Sequence, residues 1–366
     1  MSRFIPEKIF IEKAALALPL TQQILQRCPD SPCEEISEAK ELIKAYQANP
    51  PAGFHGKKTL LLCRNKGRFF EPCPGTQQYI CCGYMILTPG AGCPLSCSYC
   101  VLQAYLNNPF VTLYANLQDM LEELEAAPEL GNGVITRIGT GEFMDSLALD
   151  HLTDFSSFIL PFFKKRKGLL LELKTKTANI DALARLDHGG AYIVSWSLNT
   201  EEIIAHEEQG TAPLAERLAA ARSLIDKGYR VGFHFDPLVY YAGWEEGYKN
   251  TVRLIAERIP PAAVAWISLG SFRYMPQLKA ISLKRFPGTK IFSQEFVPGL
   301  DGKMRYLQDM RMELYEKMTL WLRDYSRDVF IYFCMESRAV WRRALGCEPR
   351  ADRELKKMLD RQIAVV

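Results

Sequence analysis

From Tyr84 onward the chain alternates short apolar runs with stretches in which apolar positions recur at helical spacing. Residues 84–88, 133–138, 169–173, 191–197, 230–235 and 264–269 read as strands. Helix-like segments lie between and after them, around 117–126, 147–160, 179–186, 213–227, 244–258 and 275–285. Strand and helix in repeated alternation predict a parallel sheet. Six such units predict an α/β fold: a partial (β/α)6 barrel of the TIM type, curved and open where the full barrel closes with eight.

The flanks carry a different pattern. Before the barrel come a helical stretch near 33–48, a Pro50-Pro51-Ala52-Gly53 break, a short strand at 58–63 and an ordered loop from Lys66 to Gly75. After it come a long helix at 304–325, a strand at 329–333 and a charged helix at 350–361, which are expected to cap or flank the barrel. The expected division is an N-terminal extension (1–82), a barrel core (83–290) and a C-terminal extension (291–366).

Length and charge narrow the picture. A chain of 366 residues suits one such barrel with extensions. Lys plus Arg number 45 against 42 for Asp plus Glu, a formal charge of +3, so there is no global basic field of the kind that gathers nucleic acid. Any contact with a polyanion must be local. The 11 cysteines, an odd count, occur with no apolar leader and no run near the ~18 apolar residues of a membrane span. That usage predicts a reducing cytoplasm, no membrane and no disulfide framework.

The most specific chemistry lies directly after the first strand, in Gly92-Cys93-Pro94-Leu95-Ser96-Cys97-Ser98-Tyr99-Cys100. Three thiolates from one short loop can hold three irons of a four-iron four-sulfur cluster and leave the fourth iron open to a small molecule. A structural zinc site is the alternative, but it wants four closed ligands, and no His or Cys follows at a fitting distance. The spacing resembles the signature of the radical S-adenosylmethionine (radical SAM) superfamily. That resemblance implies S-adenosylmethionine on the open iron and a 5'-deoxyadenosyl radical that abstracts hydrogen from substrate.

Barrel enzymes place their chemistry in the loops after the strands. After the second strand comes Gly139-Thr140-Gly141-Glu142, where the superfamily carries a Gly-Gly-Glu-like element. Glu142 is therefore the candidate for the cofactor's amino group, against a solvated loop acid. At the end of the third strand Lys174 and Lys176 alternate at strand spacing, so one of them is expected to point inward and pair with a cofactor carboxylate, against an exposed pair. Ser197 and Asn199, at the end of the fourth, suit a ribose or a carboxylate. His234 and Asp236 end the fifth, and a buried His satisfied by its neighbours is as good a reading as a catalytic one.

Taken together, Cys93, Cys97, Tyr99, Cys100, Leu102-Gln103, Thr136-Arg137, Asp150-His151-Leu152-Thr153, Thr175-Lys176, Ser197-Leu198-Asn199, Arg217 to Ala221 and Gly243-Trp244 with Gly247-Tyr248 resemble the spore photoproduct lyase family. The resemblance runs from about residue 85 to 250. It implies a lyase that repairs a methylene-bridged thymine dimer in DNA, with Lys176 and Ser197 contacting S-adenosylmethionine and Tyr99 near the radical path. It also implies an electron donor such as flavodoxin or ferredoxin.

Two departures stand out. Glu142 occupies the place of the family's hydrogen-donating cysteine, and Val101 that of a tyrosine after the third cluster cysteine. These leave open a radical SAM enzyme acting on a non-lesion substrate. A nucleic-acid-binding protein with a structural metal site is the non-catalytic alternative. Cys73, Cys81 and Cys82 are read as buried small hydrophobes or as an auxiliary metal site. Lys164-Lys165-Arg166-Lys167 and Trp341-Arg342-Arg343 are the candidate DNA contacts near the barrel mouth, against solvated faces.

Overall fold

The computed structural model describes residues 3–76, 78–130 and 135–363. Its central element is a curled sheet of parallel strands in sequence order: β1 (Met85–Leu87), β2 (Thr136–Gly139), β3 (Leu169–Thr175), β4 (Tyr192–Ser197), β5 (Arg230–Leu238), β6 (Val264–Ser271) and β7 (Ile331–Phe333). Phe70–Pro72 adds antiparallel to β1 and closes that edge. Every residue of β4 and β6 is buried, as a parallel sheet covered on both faces requires. The helices named here are α1 (Leu117–Ala126), α2 (Phe155–Lys164), α3 (Leu214–Ile225), α4 (Trp244–Arg258), α5 (Pro276–Arg285) and α6 (Gln308–Tyr325).

The open barrel is as expected, with one strand more. The run at 329–333 does not flank the barrel: β7 pairs in parallel with β6, Ile267 opposite Ile331. A bridge between Ile80 and Glu336 brings loops from the two edges of the sheet together. The run at 133–138 becomes a strand only from Thr136, and Gly133 lies outside the described residues.

Local chemistry explains the other differences. The helix expected at 147–160 is two, Asp150–Thr153 and α2, because Asp154 turns left-handed at φ 47° between them. The one at 179–186 is a single 3-10 turn, Leu183–Arg185. Met304–Tyr306 pairs with Phe296–Pro298 in a hairpin over the mouth, so the long helix begins only at Gln308.

The N-terminal residues build a second sheet whose strand order is Cys33–Ile36, Lys8–Glu12, Thr59–Cys63, Val111–Tyr114 and Gly90–Ala91. Its last two strands come from either side of the cysteine loop, so this sheet ties down the loop's ends. No helix among the described residues is long and apolar enough to cross a membrane.

Candidate active site

The cysteine loop is fixed along its length. At its start, Gly92 sits at φ +84°, and an added Cβ would meet the Phe110 carbonyl oxygen at 2.6 Å. Only glycine fits there. In its middle, Ser96–Cys97 pairs antiparallel with Glu208–Gln209. The Lys57 ammonium donates to the carbonyl oxygens of Cys93 and Leu95 at 2.7 and 2.5 Å. Gln103 donates to those of Cys97 and Ser98 at 3.0 and 2.9 Å.

The outcome is that Cys93, Cys97 and Cys100 line one cavity of about 360 Å³, walled by the C-terminal ends of the strands. Burial pushes the Cys93 thiol up to about 12 and Cys97 well above its ordinary value. Among the described residues no side chain hydrogen-bonds these sulfurs and no three Cys, His, Asp or Glu groups converge on one metal ion. A four-iron cluster, by contrast, spreads its thiolate ligands over separate corners. A soft, all-sulfur donor set at one wall of the cavity fits such a cluster, whose positive irons would take the place of the thiol protons.

Two consecutive buried carboxylates clamp the loop. Glu207 accepts from the Ser98 hydroxyl, from Thr289 at 2.6 Å and from the Lys290 amide at 3.1 Å. Glu208 accepts from the Tyr99 hydroxyl, from Lys176 at 3.0 Å and from Arg217 at 2.6 Å. Lys176 also donates to the Tyr99 oxygen at 2.9 Å, and Arg217 to the Ser197 carbonyl at 2.8 Å. Burial alone would raise Glu208, but the cations Lys176 and Arg217 and the bonds from Tyr99 and Arg217 bring it down to about 2.

This network predicts an acid-sensitive loop. Because the folded value of Glu208 lies below its ordinary 4.5, its stabilisation is fully present above about pH 4.5 and is lost as pH falls towards 2. Glu208→Gln leaves the fully buried Arg217 and the partly buried Lys176 with a neutral partner, so a loss of about 3–5 kcal/mol is expected at pH 7. The variant's stability is also expected to fall less steeply than the wild type's between pH 4.5 and 2, as chemical denaturation at a series of pH values would read.

The opposite wall is charged as well. One oxygen of Glu172 accepts from His234 at 2.7 Å and Trp266 at 3.2 Å, and Ser195 donates to it too. Against burial, His234, Ser195 and Lys174 hold the Glu172 carboxyl at about 2. Arg273 spans both oxygens of Asp236 at 3.3 Å. Cys73, Cys82 and Cys334 also line this side, and burial pushes Cys73 up to about 12.

Each sequence candidate can now be placed. Glu142, Lys176, Ser197 and Tyr99 line the same cavity as the three thiols. Lys174 lines it too, since residues two apart on a strand share a face, so both lysines point inward. The roles differ: Lys176 braces the loop, whereas Lys174 has no ion pair among the described residues and lies in the fields of Glu142, Glu172 and Asp236. Gly141 makes room for it, because an added Cβ would meet the Lys174 Cβ at 2.9 Å.

Asn199 does not reach the cavity. Its amide donates to the Pro237 carbonyl at 2.9 Å and its oxygen accepts from Tyr248 at 2.7 Å, which ties the end of β5 to α4. His234 faces the cavity but is satisfied by Glu172.

The first basic group is not at the mouth. Lys164-Lys165-Arg166-Lys167 follows α2 and precedes β3, at the N-terminal end of the sheet, where Lys164 pairs with Asp187 and Arg166 with Glu125. Trp341 is fully buried with its ring 5.1 Å from Phe333, so it cannot stack on a base. Arg342 and Arg343 are paired with Glu348 and Glu316.

A curled parallel sheet whose first strand delivers three cavity-facing thiols on one loop is the architecture of a radical SAM protein. The relatives make the assignment narrower. This chain belongs to the spore photoproduct lyase family, whose sequence model matches residues 4–325. It is 27% identical over 303 residues to the spore photoproduct lyase of Bacillus subtilis, covering 79% of this chain and 84% of that protein. To the enzyme of a Geobacillus species it is 26% identical over 302 residues, covering 80% and 85%.

Among solved structures, a spore photoproduct lyase mutant superposes with a TM-score of 0.79 at 23% identity, covering 91% of this chain and all of that one. A double mutant with bound AdoMet and dinucleoside spore photoproduct superposes at 0.78, with the same identity and coverage. At that identity the superpositions speak to the fold.

Proposed function

We propose that this chain is a cytoplasmic radical SAM lyase that holds a four-iron four-sulfur cluster on Cys93, Cys97 and Cys100 and repairs spore photoproduct in DNA. The observation that carries this reading is the convergence of three cavity-lining thiols, Glu142, Lys174 and the Ser197 hydroxyl on one cavity. When bound, the cluster and S-adenosylmethionine supply a 5'-deoxyadenosyl radical.

The chain's own groups orient and enclose. Glu142 offers an anion for an ammonium group, and Lys174 an ammonium for a carboxylate. Ser197 makes no hydrogen bond with its hydroxyl among the described residues and is available for a ribose or a carboxylate. Lys303, from the hairpin over the mouth, lines the cavity and can meet a DNA phosphate, with Arg273 behind it.

Hydrogen return is assigned to Cys73. Burial and the neighbouring Glu142 keep its thiol protonated, and a thiol has a weak S–H bond where a carboxylic acid has none. Transfer would break that S–H bond, form a C–H bond on the substrate radical and leave a thiyl radical on Cys73.

Glu142 itself favours a second reading, a substrate other than the lesion, since it replaces the family's hydrogen donor. Anaerobic incubation of the reconstituted protein with dithionite, S-adenosylmethionine and a dinucleotide spore photoproduct separates the two. Conversion of the lesion to two thymines is expected. Formation of 5'-deoxyadenosine with the lesion intact would assign the other substrate.

A further inference from the structure

The cysteine loop has a second, outward side. A groove of about 470 Å³ reaches Gly92 and Cys93 from outside the barrel, walled by Phe54, Lys57, Gln103, Leu106 and Arg285. Among the described residues Lys57 and Arg285 are the only charged ones lining it. Beside it runs α5, and residues 276–290 contain Lys279, Lys284, Arg285 and Lys290 and no acid. Lys279, Lys284 and Arg285 are exposed, and none of the three is in an ion pair among the described residues. Leu283 and Tyr105, 41% and 58% exposed, give the face apolar contact area.

This face is mechanically tied to the thiols. The Ser282 hydroxyl of α5 donates to the Ser98 carbonyl at 2.8 Å, between Cys97 and Cys100. The Arg285 guanidinium lies within the field of Cys100. Lys57 holds the carbonyls of Cys93 and Leu95. A partner seated here would therefore approach the cluster without entering the substrate cavity.

We infer that this groove and the exposed edge of α5 are the docking surface for an acidic one-electron donor protein of the flavodoxin type. The inference rests on the reading that the loop holds a redox-active cluster. The donor's reduced flavin would lose one electron, and the cluster would gain it. A small basic face with a modest apolar centre suits a transient redox encounter, which is steered by charge rather than held by area. DNA, the other polyanion, is expected at the cavity mouth on the hairpin side.

The test is Lys279→Glu with Lys284→Glu in the reconstituted protein, neither residue touching the cavity. Titration with oxidised flavodoxin should show affinity about tenfold or more below wild type. Reduction of the cluster by flavodoxin hydroquinone, followed at low salt in a stopped-flow instrument, should slow by a similar factor and lose much of its salt dependence. Dithionite-driven 5'-deoxyadenosine formation and the affinity for lesion-containing DNA should stay at wild-type levels.

Wild-type flavodoxin affinity and reduction rate in the variant would overturn the inference. So would a parallel loss of DNA affinity, which would assign the face to nucleic acid. Failure of dithionite to support cleavage in the wild type would instead sink the cluster reading on which the inference stands.

Discussion

Cys97→Ala is expected to abolish cluster assembly and 5'-deoxyadenosine formation while leaving the fold in place. Cys97 is buried in the middle of the loop, in the two-residue ladder with Glu208–Gln209, and alanine keeps that backbone pairing. The side chain lost is a small one in a cavity wall, so the structural cost is modest, on the order of 1–2 kcal/mol. The chemical cost is far larger. With two sulfur donors left, an iron-sulfur cube has no stable seat, and the broad visible absorbance of the reconstituted protein should fall to background. The same spectrum in Cys73→Ala is expected to match wild type, because Cys73 lies on the opposite wall with Cys82 and Cys334. Retained absorbance and cofactor cleavage in Cys97→Ala would overturn the ligand assignment.

Most of the residues that line the cavity were legible in the sequence, and those that hold the cysteine loop in place were not. Cys93, Cys97 and Cys100 announce themselves by spacing, whereas Glu142, Lys176 and Ser197 are singled out by the family resemblance, and all six line the cavity. Glu207 and Glu208 carry no such signal. They close a helix and look like two surface acids, yet both are buried, and they fix Ser98 and Tyr99 from a segment more than a hundred residues away. The partner that makes a buried carboxylate tolerable, Arg217, sits on a different helix, so only the fold brings the pair together.

Period-two logic has a similar limit. It places Lys174 and Lys176 on one face, but only the tertiary contacts distinguish a strut from an unpaired cation. Asn199 shows the opposite error. It stands two residues past Ser197, but the strand ends at Ser197, and beyond that point alternation no longer says which way a side chain faces.

The fold itself followed the same division. Long, strongly periodic segments such as α1 and α4 match their expected bounds, 117–126 and 244–258. What the pattern could not assign was the partner of a short strand. β7 has three residues, and its place beside β6 rests on the Ile267–Ile331 register and on the buried ring of Phe333 against Tyr315 and Trp341. The basic groups show a related limit: charge in a sequence is visible, but the acids that pair with Lys164, Arg342 and Arg343 come from elsewhere in the chain, and so does the packing that buries Trp341.

Cys73→Ala should uncouple cofactor cleavage from repair. Glu142 and Cys73 face each other's fields across one wall of the cavity, and only the thiol can give up a hydrogen atom. Without it, 5'-deoxyadenosine should still form while the yield of repaired thymines falls about tenfold or more, so that many cofactor molecules are cleaved per lesion repaired. In deuterated water the wild-type thiol exchanges its proton, and the repaired product should carry one deuterium that the variant's residual product lacks. Glu142→Cys placed on the Cys73→Ala background supplies a thiol on the loop after β2 and should restore both the yield and the label. If Cys73→Ala repairs at the wild-type rate with the label retained, the hydrogen comes from another group, and Cys82 and Cys334 are the remaining thiols on that wall.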